Sequence, residues 1–378
     1  MRILVTGANG FIGRNLVARL KNMKEDKNKN VASNFIIYEY DQTTNPDLLP
    51  LYCSNADFVF NLAGVNRPEN ITDYMKDNFG FASVLLDTLE KCGNRCPIML
   101  ASSIQAQLDN PYGQSKKAGE DLFFDYARRM NSKVLVYRFP NVFGKWCRPN
   151  YNSVIATFCY NVARGIPIKI NDSNSLLYLV YIDDLVNEML NALKNEEHYD
   201  GLFNTVPIVY RYNLGYIADL ICSFKMTRDD KTIPNMGDDF IKKLYATYLS
   251  YLPENSFSYP LIMNIDARGS FTEMIRTQDR GQVSVNISNQ GVVKGNHWHN
   301  TKSEKFLVVK GQGVIRLRKI SEKEVFEYYV SGDKLEVVDI PVGYTHNIEN
   351  LGITEMITIM WANEPFNSEY PDTYYLEV

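Results

Sequence analysis

MRILVTGANGFIGRNL, residues 1–16, opens the chain. The apolar run Arg2–Thr6 reads as a buried strand, and it feeds straight into Gly7-Ala8-Asn9-Gly10-Phe11-Ile12-Gly13-Arg14. Each glycine of such a turn has a use. The first permits the tight turn, the second lets backbone approach a pyrophosphate, and the third lets the helix pack close to the sheet. The free N–H groups at the helix start can hold the anion. Three glycines can also serve a turn and nothing more. Their place after a first strand, opening a βαβ unit, favours dinucleotide binding.

Outward from this turn, strand-like and helix-like segments alternate for about 250 residues. Short apolar runs recur at residues 35–38, 57–62, 97–101 and 134–139. Helical patterns such as residues 115–130 lie between them. This alternation predicts an α/β, doubly wound parallel sheet over residues 1–252. The run KNMKEDKNKN at 21–30 reads as a solvated helix end or loop. Near residue 250 the character changes: YLSYLPENSFSYPL is a connection, and helical signals stop after Leu261. Alternating runs such as QVSVNIS, EKFLVVKG and TEMITIMWAN then predict an all-β domain over residues 260–378.

Two domains also suit 378 residues. Forty Lys+Arg against forty-four Asp+Glu give a net charge of -4, which argues against nucleic acid as a partner. The opening has no secretory pattern, and no stretch approaches the roughly 20 apolar residues of a membrane helix. The six cysteines have no CxxC spacing. A cytoplasmic protein with reduced thiols and no membrane association is expected.

Tyr112 stands four residues before Lys116, so the two share one face of a helix. A nearby ammonium lowers a tyrosine pKa from about 10, and the phenol can then act as a general acid towards a carbonyl. In isolation an ordinary helix with a surface lysine is the better account of the pair. Ser102-Ser103 changes that, because it ends a strand at the carboxyl edge where open α/β sheets bind ligands.

The order TGxxGxxG, Leu62-Ala63-Gly64, Ser102-Ser103, YxxxK and RFPNVFG (138–144) resembles the extended short-chain dehydrogenase/reductases. That family acts largely on nucleotide sugars. The resemblance implies a Rossmann-type sheet and a nicotinamide cofactor bound by the glycine turn (Gly7, Asn9, Gly10, Phe11, Ile12, Gly13, Arg14). Asp41, Leu62, Ala63, Gly64, Tyr112, Lys116 and Arg138 would complete that site. It assigns catalysis to Ser103, Tyr112 and Lys116. Tyr112 would protonate a sugar ketone as hydride arrives, Ser103 would hydrogen-bond it, and Lys116 would tune Tyr112 and hold the nicotinamide ribose. Asp41 after the second strand favours NADH, whereas Arg14 favours NADPH. Asn141, Lys145 and Arg148, in and before KWCRPNYNSV, are candidate sugar-diphosphate contacts, or else plain surface groups.

In the second half, His297 and His299 stand one residue apart on a strand and so point to one side. Glu304 and His346 can complete a set of nitrogen and oxygen ligands for Zn²⁺. Three of the chain's four histidines fall in this set. The spacings match both cupin motifs, apart from Gly332, which lies far from Pro341. DARGSFTE (266–273) and GQVSVNISNQGVVKGNHWH (281–299) are also similar to the nucleotide-sugar 3,5-epimerases, themselves cupins. That likeness makes His297 a candidate base and Lys294 a substrate contact, so His297 stays open between ligand and base.

The fused pair resembles the bifunctional enzymes of capsular polysaccharide synthesis. It implies a homodimer acting on a UDP-4-keto-6-deoxy amino sugar, UDP-2-acetamido-2,6-dideoxy-4-hexulose. The cupin would epimerise C3. The first domain would then reduce C4 with NADPH (or NADH), giving UDP-N-acetyl-6-deoxy-L-talosamine on the route to N-acetyl-L-fucosamine. The alternatives are a plain reductase with a metal-stabilised dimerisation module, or a metal dioxygenase.

Overall fold

The computed structural model describes residues 1–25, 35–65, 74–277 and 279–378. The end of the 21–30 run lies outside these residues. The chain divides into two compact units: Met1–Cys222 with Asp239–Pro253, and Ser223–Asp238 with Glu254–Val378.

The first unit begins β1 (Arg2–Thr6), α1 (Phe11–Glu25), β2 (Ile36–Tyr40), α2 (Leu48–Asn55), β3 (Phe58–Asn61) and α3 (Phe81–Lys91). It continues β4 (Ile98–Ser103), α4 (Pro111–Met130), β5 (Val134–Phe139), β6 (Asn141–Phe143), α5 (Val154–Ala163), β7 (Leu176–Tyr181) and α6 (Ile182–Lys194). Then come β8 (Tyr199–Asp200), β9 (Phe203–Asn204), β10 (Tyr210–Asn213), α7 (Leu214–Met226), whose last residues belong to the second unit, and α8 (Asp239–Leu249).

Among the described residues the main sheet has the order β2-β1-β3-β4-β5-β9-β8, with the first six strands parallel. From β1 the chain steps out to β2, then crosses back to β3 on the other side. That reversal is a topological switch point, the place where open α/β sheets bind ligands at the carboxyl ends of their strands. β2 is one edge of the sheet, and α2 connects it to β3. Strands covered on both faces read as unbroken apolar runs. In β1, Ile3 and Val5 pack with Leu16 and Leu20 of α1 and Leu185 and Met189 of α6. Leu4 points the other way, to Leu85, Leu89 and Phe123 of α3 and α4. Each such side chain contributes about 1.5–3 kcal/mol on burial.

The second unit holds β11 (Asn264–Asp266), β12 (Gly269–Thr277), β13 (Gly281–Ser288), β14 (Val293–Trp298), β15 (Glu304–Lys310) and β16 (Gln312–Lys319). It ends with β17 (Val325–Ser331), β18 (Val337–Ile340), β19 (Tyr344–Asn350), β20 (Met356–Ala362) and β21 (Tyr374–Tyr375). Two antiparallel sheets result, β11-β12-β13-β20-β15-β18 and β17-β16-β19-β14-β21. Phe306, Val308 and Val338 from one meet Ile315, Leu317 and Ile348 from the other in a common core. A doubly wound parallel sheet followed by an antiparallel all-β unit is the expected fold class.

Candidate active site and metal centre

The glycine turn sits at the switch point. Gly7 has φ +67°, and a Cβ there would lie 2.7 Å from the Ala63 nitrogen, so only glycine fits. The Leu62-Ala63-Gly64 segment is thereby pressed against the turn. Leu62 N–H donates to the Thr6 carbonyl at 3.2 Å. The Asp41 carboxylate, just past β2, accepts the Asn9 N–H at 2.8 Å, so it lies on the turn itself. Phe11 and Ile12 pack inward against the core. Arg14 lies over the Trp146 ring, 4.9 Å from its centroid.

Tyr112 and Lys116 lie on α4. Its start is fixed by Pro111 in the first turn and by Asn110, whose side chain accepts the Gly113 N–H at 2.8 Å. Lys116 Nζ is 5.8 Å from the Tyr112 ring centroid and donates to the Ala101 carbonyl at 3.2 Å. Ser103, at the end of β4, is hydrogen-bonded to Tyr112. The three residues therefore gather at the carboxyl edge of the sheet. Burial pushes the Tyr112 phenol up to about 12, and the Ser103 hydrogen bond only partly offsets it. The lowered tyrosine pKa expected from spacing is absent here, because desolvation is the dominant influence on the phenol. Burial also draws Lys116 down to about 8, against the pull of Glu120.

Asn78 belongs to this site and was not anticipated. Its side chain bonds both the N–H and the carbonyl of Val65, and donates to Ser115 Oγ at 3.1 Å on α4. It lies in a π-helical turn, Met75–Gly80, ahead of α3. A polar residue opening the apolar run FGFASVLL was the available signal.

The other candidate residues have partners within the chain. Arg138 gives Nε and Nη2 to Glu120 at 2.8 and 2.6 Å and stacks on Phe203. Glu120 is fully buried and also accepts from Ser102 at 2.6 Å. Arg138 is thus locked in an internal ion pair, which needs both partners once desolvated. Lys145 is paired with Asp183 at 2.7 Å, Arg148 lies over Tyr151, and Asn141 donates to the Tyr178 carbonyl.

In the second unit, β14 carries the decisive irregularity. Lys294 pairs with Ile348, Gly295 with Asn347 and His297 with His346, which leaves Asn296 as an extra residue at φ 59°. Residues 294 and 297 would face opposite ways on a regular strand. The bulge returns both to one face, since their partners are two apart. Gly295 is required at φ +108°, where a Cβ would meet the His346 carbonyl at 2.7 Å.

His297, His299, Glu304 and His346 each present a ligand atom, all within 4.8 Å of one another. His299 Nε2 and His346 Nε2 lie 3.4 and 3.2 Å from Glu304 Oε2. All three atoms are buried without a hydrogen-bond partner. Two ligand atoms about 2.0–2.1 Å from a tetrahedral ion stand about 3.4 Å apart, so the spacing fits a divalent cation. Burial would raise Glu304, but the two imidazoles hold its carboxyl well below the usual range. Burial would lower His299, but Glu304 and the Asp372 carbonyl leave it raised. For His297 burial prevails, aided by His346, and takes it down to about 4. Beside the cluster lies a cavity of about 610 Å³, walled by Arg268, Phe271, Asn286, Lys294, His297 and Met360. Lys294 donates to Asn286 Oδ1 and the Ile287 carbonyl, both at 2.8 Å. Among the described residues no helix is long and apolar enough to cross a membrane.

Residues 3–205 match the NAD dependent epimerase/dehydratase family, and residues 264–374 match the polysaccharide biosynthesis C-terminal domain. The chain is 40% identical, over all of its length and 99% of the relative's, to a Pseudomonas aeruginosa protein named UDP-2-acetamido-2,6-beta-L-arabino-hexul-4-ose reductase. The crystal structure of the capsular polysaccharide assembling protein CapF from Staphylococcus aureus is similar over the whole of both chains, with TM-score 0.92 and 52% identity. CapF with the inhibitor 3-isopropenyl-tropolone gives TM-score 0.88 and 50% identity, again over both whole chains. With the switch-point turn and the Ser103–Tyr112–Lys116 cluster in place, the chain belongs to the NAD dependent epimerase/dehydratase family, in the two-domain group that includes CapF.

Proposed function

We propose that this chain is a bifunctional nucleotide-sugar enzyme of capsular polysaccharide biosynthesis. Its second unit, read as a cupin, epimerises C3 of UDP-2-acetamido-2,6-dideoxy-4-hexulose. Its first unit then reduces the C4 ketone to UDP-N-acetyl-6-deoxy-L-talosamine. The carrying observation is the convergence of Ser103, Tyr112 and Lys116 at one sheet edge, in a chain that matches a 4-keto-sugar reductase end to end.

For the reduction, Gly7–Arg14 and Leu62–Gly64 are the residues to hold a nicotinamide, which supplies the hydride when bound. NADPH is the proposed form. Asp41 is the residue that would favour NADH, so both cofactors belong in the assay. Tyr112 gives its proton to the ketone oxygen, a role suited to a phenol that burial keeps protonated at neutral pH. Ser103 hydrogen-bonds the same oxygen. Lys116 faces the phenolate that forms.

For the epimerisation, His299, Glu304 and His346 are the residues to hold Zn²⁺, which supplies Lewis-acid polarisation when bound. His297 removes the C3 proton. It opens on the cavity and is neutral at pH 7, as a base must be. The neighbouring 4-ketone acidifies that C–H, so an enolate forms and is reprotonated on the other face. Lys294 brings a cation to the same wall. A homodimer is part of this reading.

Lys116 gives a pH prediction. A group drawn down to about 8 is charged at pH 7 and loses that charge a little above it, where an ordinary lysine would keep it to about 10.4. Neutral lysine no longer stabilises the phenolate. The kcat/KM for reduction should be level below pH 8 and fall about tenfold per unit above it. A profile still level at pH 10 would contradict the role given to Lys116.

The deciding measurement is proton NMR of the UDP-4-keto sugar with enzyme in D₂O, without nicotinamide. Deuterium is expected at C3. No exchange, with reduction still occurring once NADPH is added, would leave a plain reductase carrying a metal-binding module.

A further inference from the structure

The last residues of the chain make contacts that neither reaction explains. Asp372 has φ 39°, in the left-handed region. Its carboxylate accepts the backbone N–H groups of Asn300, Thr301 and Lys302 at 3.0, 2.8 and 3.0 Å, and the Thr301 hydroxyl at 2.9 Å. Lys302, only 5% exposed, donates back to the Pro371 carbonyl at 2.8 Å. Further on, Tyr375 and Tyr374 pair with His297 and Trp298, and Leu376 N–H donates to the carbonyl of the bulge residue Asn296 at 2.9 Å. Residues 371–377 thus form a strap along the strand and loop that carry two of the metal-site histidines.

One contact reaches a ligand itself. The Asp372 carbonyl is hydrogen-bonded to His299 Nδ1. A carbonyl can only accept, so Nδ1 carries the proton and Nε2 keeps the lone pair. Nε2 is the buried, unpaired atom facing Glu304. Such outer hydrogen bonds fix the tautomer and aim of a metal-binding histidine, and losing them typically costs 10–100-fold in metal affinity.

We infer that the 371–377 strap is a positioning device for the metal centre, in which Asp372 sets the tautomer and aim of His299. The inference rests on the zinc reading above. Asp372 works through the loop it caps: its carboxylate fixes residues 300–302, and that holds its own carbonyl opposite His299.

The test is a zinc titration of the full chain, stripped of metal and reloaded in competition with a chromophoric chelator. Wild type, Asp372→Ala and Thr301→Val are compared, and each metal-free protein is also melted. Wild type should hold one zinc per chain. Asp372→Ala should bind it 10–100-fold more weakly with every ligand side chain present. Thr301→Val, which loses one hydroxyl, should show a smaller loss at an unchanged metal-free Tm. A lower metal-free Tm for Asp372→Ala with wild-type zinc affinity would make the strap purely structural and overturn the inference. If Asp372→Ala does not fold, Thr301→Val decides alone: unchanged affinity overturns it. Wild type that takes up no zinc would instead remove the metal reading, and the strap's role with it.

Discussion

Tyr112→Phe should reduce the rate of C4 ketone reduction by about 10²–10⁴-fold, the contribution of a positioned general acid. The substitution removes one hydroxyl and keeps the ring, which packs against Tyr74 at 5.6 Å between centroids. Fold and cofactor binding should therefore survive. The hydroxyl lost is the one bonded to Ser103, and it carries the proton the nascent alkoxide needs. Water cannot easily take its place, because the group is buried enough to push its pKa up to about 12. Exchange at C3 in D₂O should be unchanged in the same variant, since that chemistry uses the other unit. The check is NADPH oxidation with the 4-keto sugar, beside deuterium incorporation on the same preparation. Reduction within threefold of wild type would take the proton-donor role away from Tyr112.

Much of the fold was legible because its signals are local. A strand, a three-glycine turn and the start of a helix occupy 16 consecutive residues, and Tyr112 and Lys116 are one helical turn apart. Likewise His297 and His299 sit together in GNHWH. What escaped the sequence depends on pairing between distant segments. Arg138 looks like a cation available to a ligand until β4, β5 and α4 come together and Glu120 claims it. Lys145 is claimed in the same way by Asp183, 38 residues away. Asn78 gains its role only when the π-helical turn meets Val65 and Ser115.

The Tyr112 pKa failed for a different reason. Helical spacing correctly brings the lysine near, but spacing carries no information on burial, and burial decides the sign. The same blindness applies to the bulge at Asn296. An alternation rule applied to residues 293–299 turns Lys294 away from His297, yet one left-handed residue after a glycine restores it to the cavity. GN before the first histidine was the only local hint of it.

His297→Asn should abolish deuterium exchange at C3 by about 10²–10⁴-fold, again the share of a positioned base. It should also separate the two roles this histidine could fill. A ring nitrogen bound to a cation has no lone pair for a proton, so His297 serves as ligand or as base. Its placement favours the base. His299 and His346 are 3% and 1% exposed and converge on one Glu304 oxygen, while His297, which lines the cavity together with Glu304 and His346, is held neutral by burial. Two histidines and a glutamate are a sufficient set for a zinc site with an open position. The variant should then keep one zinc per chain and reduce an already epimerised 4-keto sugar at the wild-type rate, while exchange is lost. Zinc lost together with exchange would make His297 the fourth ligand and close the site. Exchange retained in the variant would pass the proton to another group on the cavity wall, with Lys294, placed on the same face by the bulge, as the next residue to replace.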